Sequence, residues 1–351
     1  MSNLQKQERP NIEGGHPARY IDERVPHHII SRVFQGRHLL RPCEELTAII
    51  VGVLARAREL YPAVSLFTLA FLSNHLHMIL KGSSQDVPRF IGFIKREISR
   101  RWGAHRDVNW QGTMWHEYLA TALPTPESEV NAMKYVLSQG VKENLVERPQ
   151  EWPGVHAAAS LMSGNPLVGK WLDATSYAKA KDAANRTAKP KKIHRADYER
   201  ECTVSFDPLP AWSALPSRQQ RRSVKELIEA IIEEGAEHRR RADKTVFGAA
   251  NVMLVPLDYV TKLPPQPWYQ DRRRMVCWAD PRDERTQAYL ADYWAFQSAF
   301  TQASRAFRTG DVSAQFPIGA FRPVTHLASS PIGRGCETAT PGTGRISDPR
   351  Q

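Results

Sequence analysis

Two histidines one residue apart, His75 and His77, sit inside the apolar run Phe71-Leu-Ser-Asn-His-Leu-His-Met-Ile-Leu80. In an extended strand successive side chains alternate between faces, so both imidazoles point to the same side. Two neutral imidazoles held side by side in apolar surroundings either bind a divalent metal or are a costly pair of buried polar groups. Farther along, Tyr135 and Gln139 are four residues apart, the spacing that puts two side chains on one face of a helix. Where that helix meets the strand bearing the histidines, two imidazoles and a carboxamide oxygen offer three ligands for one divalent cation. A mixed nitrogen and oxygen set of this kind suits Mg²⁺ or Mn²⁺ and leaves positions open for substrate oxygens. The chemistry this favours is attack on a phosphodiester. A metal neutralises charge on the non-bridging and leaving oxygens, and a tyrosine hydroxyl can attack phosphorus and form a phosphotyrosine. Tyr118 is the rival nucleophile, but it falls in a strand without such a partner.

The elements that must position these groups follow from hydrophobic periodicity. His27 to Gln35, rich in β-branched residues, reads as a first strand. Cys43 to Tyr61 carries Leu46, Ile49, Ile50, Val53, Leu54, Ala57 and Leu60 at helical spacing, with Pro42 just ahead of it. Val64 to Leu80 gives two strands turning near Ser73-Asn74. Pro88 opens a second helix, Gly112 to Leu123 reads as a fourth strand, and Pro124 onward starts a third helix that fades near Asn144. The order predicts an α+β domain of the ferredoxin-like, split βαβ type. A four-stranded antiparallel sheet would be covered by helices on one face, the other partly open for a ligand.

The chain is 351 residues long, 41% hydrophobic and 24% charged, with a net charge of +11. Such a balance fits a globular protein with a polyanionic partner, nucleic acid before an anionic membrane. Lys95, Arg96, Arg100, Arg101 and Arg106, on or just after the second helix, are the candidate contacts to a DNA backbone. Four scattered cysteines show neither zinc nor redox spacing. The N-terminal residues lack the apolar core of a signal peptide, and no run approaches the roughly 18 apolar residues of a membrane span. The expected location is therefore the cytoplasm, with the nucleoid, and no membrane partner. Residues 1–19 read as a flexible arm and 20–163 as the domain. Residues 164–326 read as a mostly helical extension of unassigned role, with helices over Ser217–Arg241 and Arg282–Phe307, and 327–351 as a disordered tail.

Asn74-His-Leu-His-Met-Ile-Leu80 resembles the histidine–hydrophobic–histidine signature of the IS200-like (Y1) transposases and the related REP-associated tyrosine transposases, members of the HUH superfamily. The resemblance extends to His28-Ile-Ile-Ser-Arg-Val33, to Trp110-Gln-Gly112, and to Tyr135-Val-Leu-Ser-Gln-Gly-Val-Lys-Glu-Asn-Leu-Val146. It takes in Trp152-Pro-Gly-Val-His-Ala-Ala-Ala-Ser160 as well, and so spans residues 20–160. It implies that His75 and His77 bind the metal and that Tyr135 joins a DNA 5′ phosphate. It also implies that Gln139 is the third ligand, as in the insertion-sequence branch. Single-stranded or hairpin DNA would be the partner, cut and rejoined beside a palindrome, by a homodimer or by a monomer. Two departures stand out. Ser138-Gln139-Gly140-Val141 replaces the Asn-Pro-Val that follows the tyrosine in the REP-associated branch, and Leu72-Ser73-Asn74 replaces Met-Pro-Asn. Two other functions are compatible with the residues: a domesticated DNA- or RNA-binding protein without turnover, and a metal-dependent hydrolase using water.

Overall fold

The computed structural model describes residues 17–103, 105, 108, 110–186, 192–260 and 275–322. Arg106, residues 1–16 of the arm and the tail 327–351 lie outside the described residues. The strands and helices follow the expected order: β1 (His27–Val33), α1 (Glu44–Leu60), β2 (Ser65–Leu72), β3 (His75–Lys81), α2 (Asp86–Gly103), β4 (Trp115–Ala122) and α3 (Pro126–Leu137). The sheet runs β2-β3-β1-β4 with every pairing antiparallel, the split βαβ arrangement.

Local chemistry sets the boundaries. At the start of α1 the Cys43 sulfur accepts from the Leu46 N–H, and Glu44 and Glu45 occupy the first turn, where the helix dipole favours negative charge. Leu72 pairs with His75 across a two-residue connection, Ser73-Asn74, so β2 and β3 form a tight hairpin. A reciprocal capping box between Thr125 and Ser128, with Pro126 in the first turn, starts α3. That helix stops at Leu137 rather than near Asn144. Gly140 takes a φ of +89°, a left-handed conformation that ends the helix, and its carbonyl then accepts from both Leu145 and Val146.

Alternation along the strands sorts the sheet into two faces. Ile29, Val33, Leu76, Met78 and Leu80 point down onto the buried sides of α1 and α2. His28, Ile30, Arg32, His75, His77 and Ile79 therefore belong to the opposite face, with His28 across from Ile79, Ile30 across from His77 and Arg32 across from His75. The sequence-based expectation of helices on one face only is not met. β2 is buried along nearly its whole length and does not alternate in polarity, so it demands cover on both sides. The second cover comes from α3 and from α6 (Ser217–Ala242). Ala132, Met133 and Val136 of α3, with Val224, Ile228 and Ile231 of α6, pack on Phe67, Ala70, Leu72 and Ile79. Each fully buried Val, Leu, Ile, Phe or Met among these contributes about 1.5–3 kcal/mol.

The rest of the chain comprises α4 (Ala158–Ser163), β5 (Leu167–Leu172), α5 (Ala174–Asn185), β6 (Glu199–Val204), α7 (Ala249–Leu254) and α8 (Glu284–Arg308), besides α6. The β5–β6 hairpin, which the sequence reading missed, lies across α1 at Gly52 and Gly169. Both sheet edges are occupied. Val155 and Ala157 exchange backbone hydrogen bonds with Phe71 and Leu69 of β2. At the other edge Ala122 of β4 donates to the Val276 carbonyl at 3.0 Å and accepts from the Trp278 N–H at 2.9 Å. Covered edges remove a template for aggregation. Here the second one also brings Trp278 to the upper face of the sheet.

Candidate active site

Three imidazoles, not two, meet on the upper face. The His28 and His77 rings are linked by a 3.0 Å contact between Nε2 of His28 and Nδ1 of His77. The His75 and His77 ring centres are 4.9 Å apart. The Nδ1–H of His75 donates to the Asn74 side-chain oxygen at 2.6 Å, which makes Nε2 the unprotonated nitrogen of the neutral ring. Burial pushes the His28 and His75 imidazoles down to about 4 and His77 well below its ordinary range. The cations Lys142 and Arg32 push in the same direction on His75 and His77, and Lys142 does so on His28. All three rings are neutral near pH 7, the state in which imidazole is a ligand.

α3 brings Tyr135 over the same face. Its ring centre lies 5.6 Å from His77 and 5.7 Å from His28, edge-on to both. The Lys142 ammonium sits 3.8 Å from the centre of the phenol ring. Trp278 closes the far side, its ring 5.2 Å from Tyr135 and 5.9 Å from His28.

Gln139 reaches the site by a different route from the one its spacing suggests. It is not on the helix but in the turn after it, buried to 1% exposure. Its side-chain N–H donates to the Tyr135 carbonyl at 2.8 Å, and its amide also hydrogen-bonds the His75 ring. Among the described residues, no group of three His, Cys, Asp or Glu side chains could hold a metal ion. The Gln139 carboxamide is the further polar side chain beside His75. Two neutral imidazoles and an amide oxygen are a donor set compatible with Mg²⁺ or Mn²⁺.

The basic residues of α2 lie elsewhere. That helix packs on the lower face of the sheet, so Lys95, Arg96, Arg100 and Arg101 are separated from the imidazoles by the sheet itself. Lys95 donates to the His116 carbonyl at 2.6 Å and is pushed down to about 8 by burial and by Arg19. Arg100 and Arg101 both pair with Glu97, and Arg101 also stacks on Trp171. Tyr118, the rival tyrosine, belongs to the lower apolar layer, with its hydroxyl buried and the Arg19 guanidinium stacked over its ring.

Residues that the sequence reading did not single out complete the surroundings: Lys142, Arg32, Trp278 and Tyr20. Lys142 lay within the segment chosen for Tyr135, and its charge was the available signal. Trp278 carried none, because only the edge pairing of a remote segment brings it in.

No protein-family model matches the chain, and no curated protein matches it in sequence. The fold is similar in part to solved structures. One is a REP-associated tyrosine transposase bound to a REP hairpin, with a TM-score of 0.37, 14% identity, and coverage of 42% of this chain and 86% of that one. Another is a candidate transposase from Deinococcus radiodurans R1, with a TM-score of 0.25, 18% identity, and coverage of 36% of this chain and 95% of that one. Among the described residues no helix is long and apolar enough to cross a membrane.

Proposed function

We propose that this protein is a metal-dependent single-strand DNA nuclease and strand transferase that works at hairpin or palindromic sites through a 5′-phosphotyrosine on Tyr135. The observation that carries this is the position of Tyr135, with its ring within 5.7 Å of two buried, neutral imidazoles and 3.8 Å below a lysine ammonium. A phenol beside cations and metal-competent ligands is equipped to attack an anionic phosphorus centre.

The Tyr135 hydroxyl gives up its proton and its oxygen attacks phosphorus while the bond from phosphorus to the 3′ oxygen breaks. The 3′ oxygen leaves and takes up a proton, and the 5′ end stays on the tyrosine. Attack by a 3′ hydroxyl reverses the step and restores a phosphodiester, so the bond is conserved. Lys142 and Arg32 hold non-bridging oxygens of the phosphate. His75, His77 and Gln139 would hold Mg²⁺ or Mn²⁺, which when bound supplies Lewis-acid stabilisation of the phosphoryl charge. His28 holds the His77 ring. All these side chains come from one chain, so a monomer suffices for the chemistry. The cations of α2 take no part in this step; we assign the exposed Arg96 and Arg100 to backbone contacts of longer DNA on the reverse face.

The test is a covalent-adduct assay with end-labelled single-stranded DNA containing hairpins, in Mg²⁺ or Mn²⁺. Tyr135→Phe is expected to lose the adduct while keeping DNA binding within about twofold, since a hydroxyl is all that is removed. An adduct of undiminished yield in that variant would refute the assignment of the nucleophile. Cleavage without any adduct would point to water instead.

A further inference from the structure

Around β4, from the half of the upper face that α3 and α6 leave bare to Tyr118 and Ala120 on the lower face, there is a cleft of about 390 Å³. Its floor includes Ile30, Leu119 and Thr121 of the sheet, and Tyr135 and His28 form one end. The other walls come from outside the sheet: Tyr20 from the N-terminal segment, Trp278 from the edge-paired segment, and Tyr289 and Tyr293 from α8. Tyr20 packs against Tyr289 and Tyr293 with ring centres 5.7 and 6.1 Å apart, so these walls are braced. No lining residue is acidic, and Arg19 is the cation among them, stacked 3.7 Å over the Tyr118 ring.

We infer that this cleft binds a single unstacked nucleobase of single-stranded DNA, next to the phosphate presented to Tyr135. The inference rests on the proposed function, since it takes the polymer to be DNA, but its evidence is separate. Trp278 and Tyr20 offer partly exposed aromatic rings, which bind any base through its π-face, with the buried Tyr289 and Tyr293 behind them. Among the described residues the cleft lining carries no carboxylate, so a base tethered to a phosphate meets no like charge from them. Tyr135 and His28 line both the cleft and the imidazole cluster, so a chain with its phosphate at Tyr135 has an adjacent base within reach. Trp278 is the shared wall, touching both the nucleophile and the cleft. The C-terminal extension thus supplies the surface that holds the nucleotide beside the reacting one.

The experiment is photocrosslinking of oligo(dT) carrying one 5-iododeoxyuridine, with the Tyr135→Phe protein and no divalent metal, so that binding alone is read. The expected result is a crosslink on Trp278 or Tyr20. Two variants accompany it. Leu119→Trp, at a position 43% exposed and therefore tolerant of size, fills the cleft and is expected to weaken oligo(dT) binding about tenfold or more; Leu119→Ala is expected to stay within about twofold. Trp278→Leu is expected to lose a comparable factor through lost stacking. Crosslinks confined to α2 or other surfaces, no crosslink at all, or unchanged binding by Leu119→Trp would overturn the inference. If wild-type protein forms the Tyr135 adduct in those cases, the transferase chemistry stands without the base site. If the crosslink maps to the cleft and no adduct forms with metal, the base site stands and the chemistry fails.

Discussion

The hydrogen bond between His28 and His77 decides which nitrogen of His77 is free to bind anything. If Nε2 of His77 is to face a cation, its Nδ1 must carry the proton and donate to Nε2 of His28, 3.0 Å away. His28 then acts as a positioning residue, fixing the tautomer and rotation of the ring it touches. His28→Ala is therefore expected to weaken Mn²⁺ binding, measured by calorimetry, by about ten- to a hundredfold. Unchanged affinity in a variant with an undisturbed melting transition would remove His28 from that role. The sequence made His75 and His77 legible because a period of two is a local property that no tertiary contact can alter. It made Tyr135 legible through its place on an amphipathic helix. Gln139 was picked on a helical spacing that the structure does not keep: Gly140 breaks the helix, and the turn returns the amide to the Tyr135 carbonyl. His28 could be placed on a strand, but its pairing with His77 depends on register between β1 and β3, which sequence pattern alone does not fix.

Among the elements, the β5–β6 hairpin shows how a connection hidden in the sequence can brace the domain. It lies on α1, the helix beneath the sheet, and the two meet where Gly52 faces the Lys170 backbone and Gly169 faces Val51. A Cβ at Gly52 would stand 2.1 Å from the Lys170 carbonyl oxygen, which is backbone and cannot swing away. Gly52→Ala is expected to destabilise the protein by about 1–3 kcal/mol through forced separation of helix and hairpin, read as a lower urea midpoint. Little change at the site is expected, because α1 lies on the other side of the sheet from Tyr135. A variant as stable as the wild type would mean that the hairpin is not held there. The hairpin escaped notice because its strands are separated by a polar helix, α5, and bury only single residues such as Cys202 and Val204. The edge pairing of Val276 to Trp278 with Ala122 was invisible for a related reason. It is a short backbone contact with no side-chain pattern of its own.

Over the whole molecule, the upper face of the sheet is divided between two jobs. One half is sealed by α3 and α6 and holds Tyr135 in place. The other half stays bare and is framed by α8, the edge-paired segment and the N-terminal residues. The net charge of +11 led the sequence reading to look for DNA contacts on α2, the most visibly basic helix. The cations nearest the imidazoles are instead Lys142 and Arg32, single residues that composition does not mark. Charge count reports what kind of partner to expect, whereas the location of the contact depends on which face of the sheet each element covers. The most direct measurement is peptide mapping by mass spectrometry after wild-type protein has reacted with hairpin-containing single-stranded DNA in Mg²⁺ or Mn²⁺, followed by nuclease and protease digestion. The expected result is a nucleotide mass attached to Tyr135. A nucleotide on Tyr118 or on any other residue, or cut DNA with no nucleotide on the protein, would contradict the central assignment.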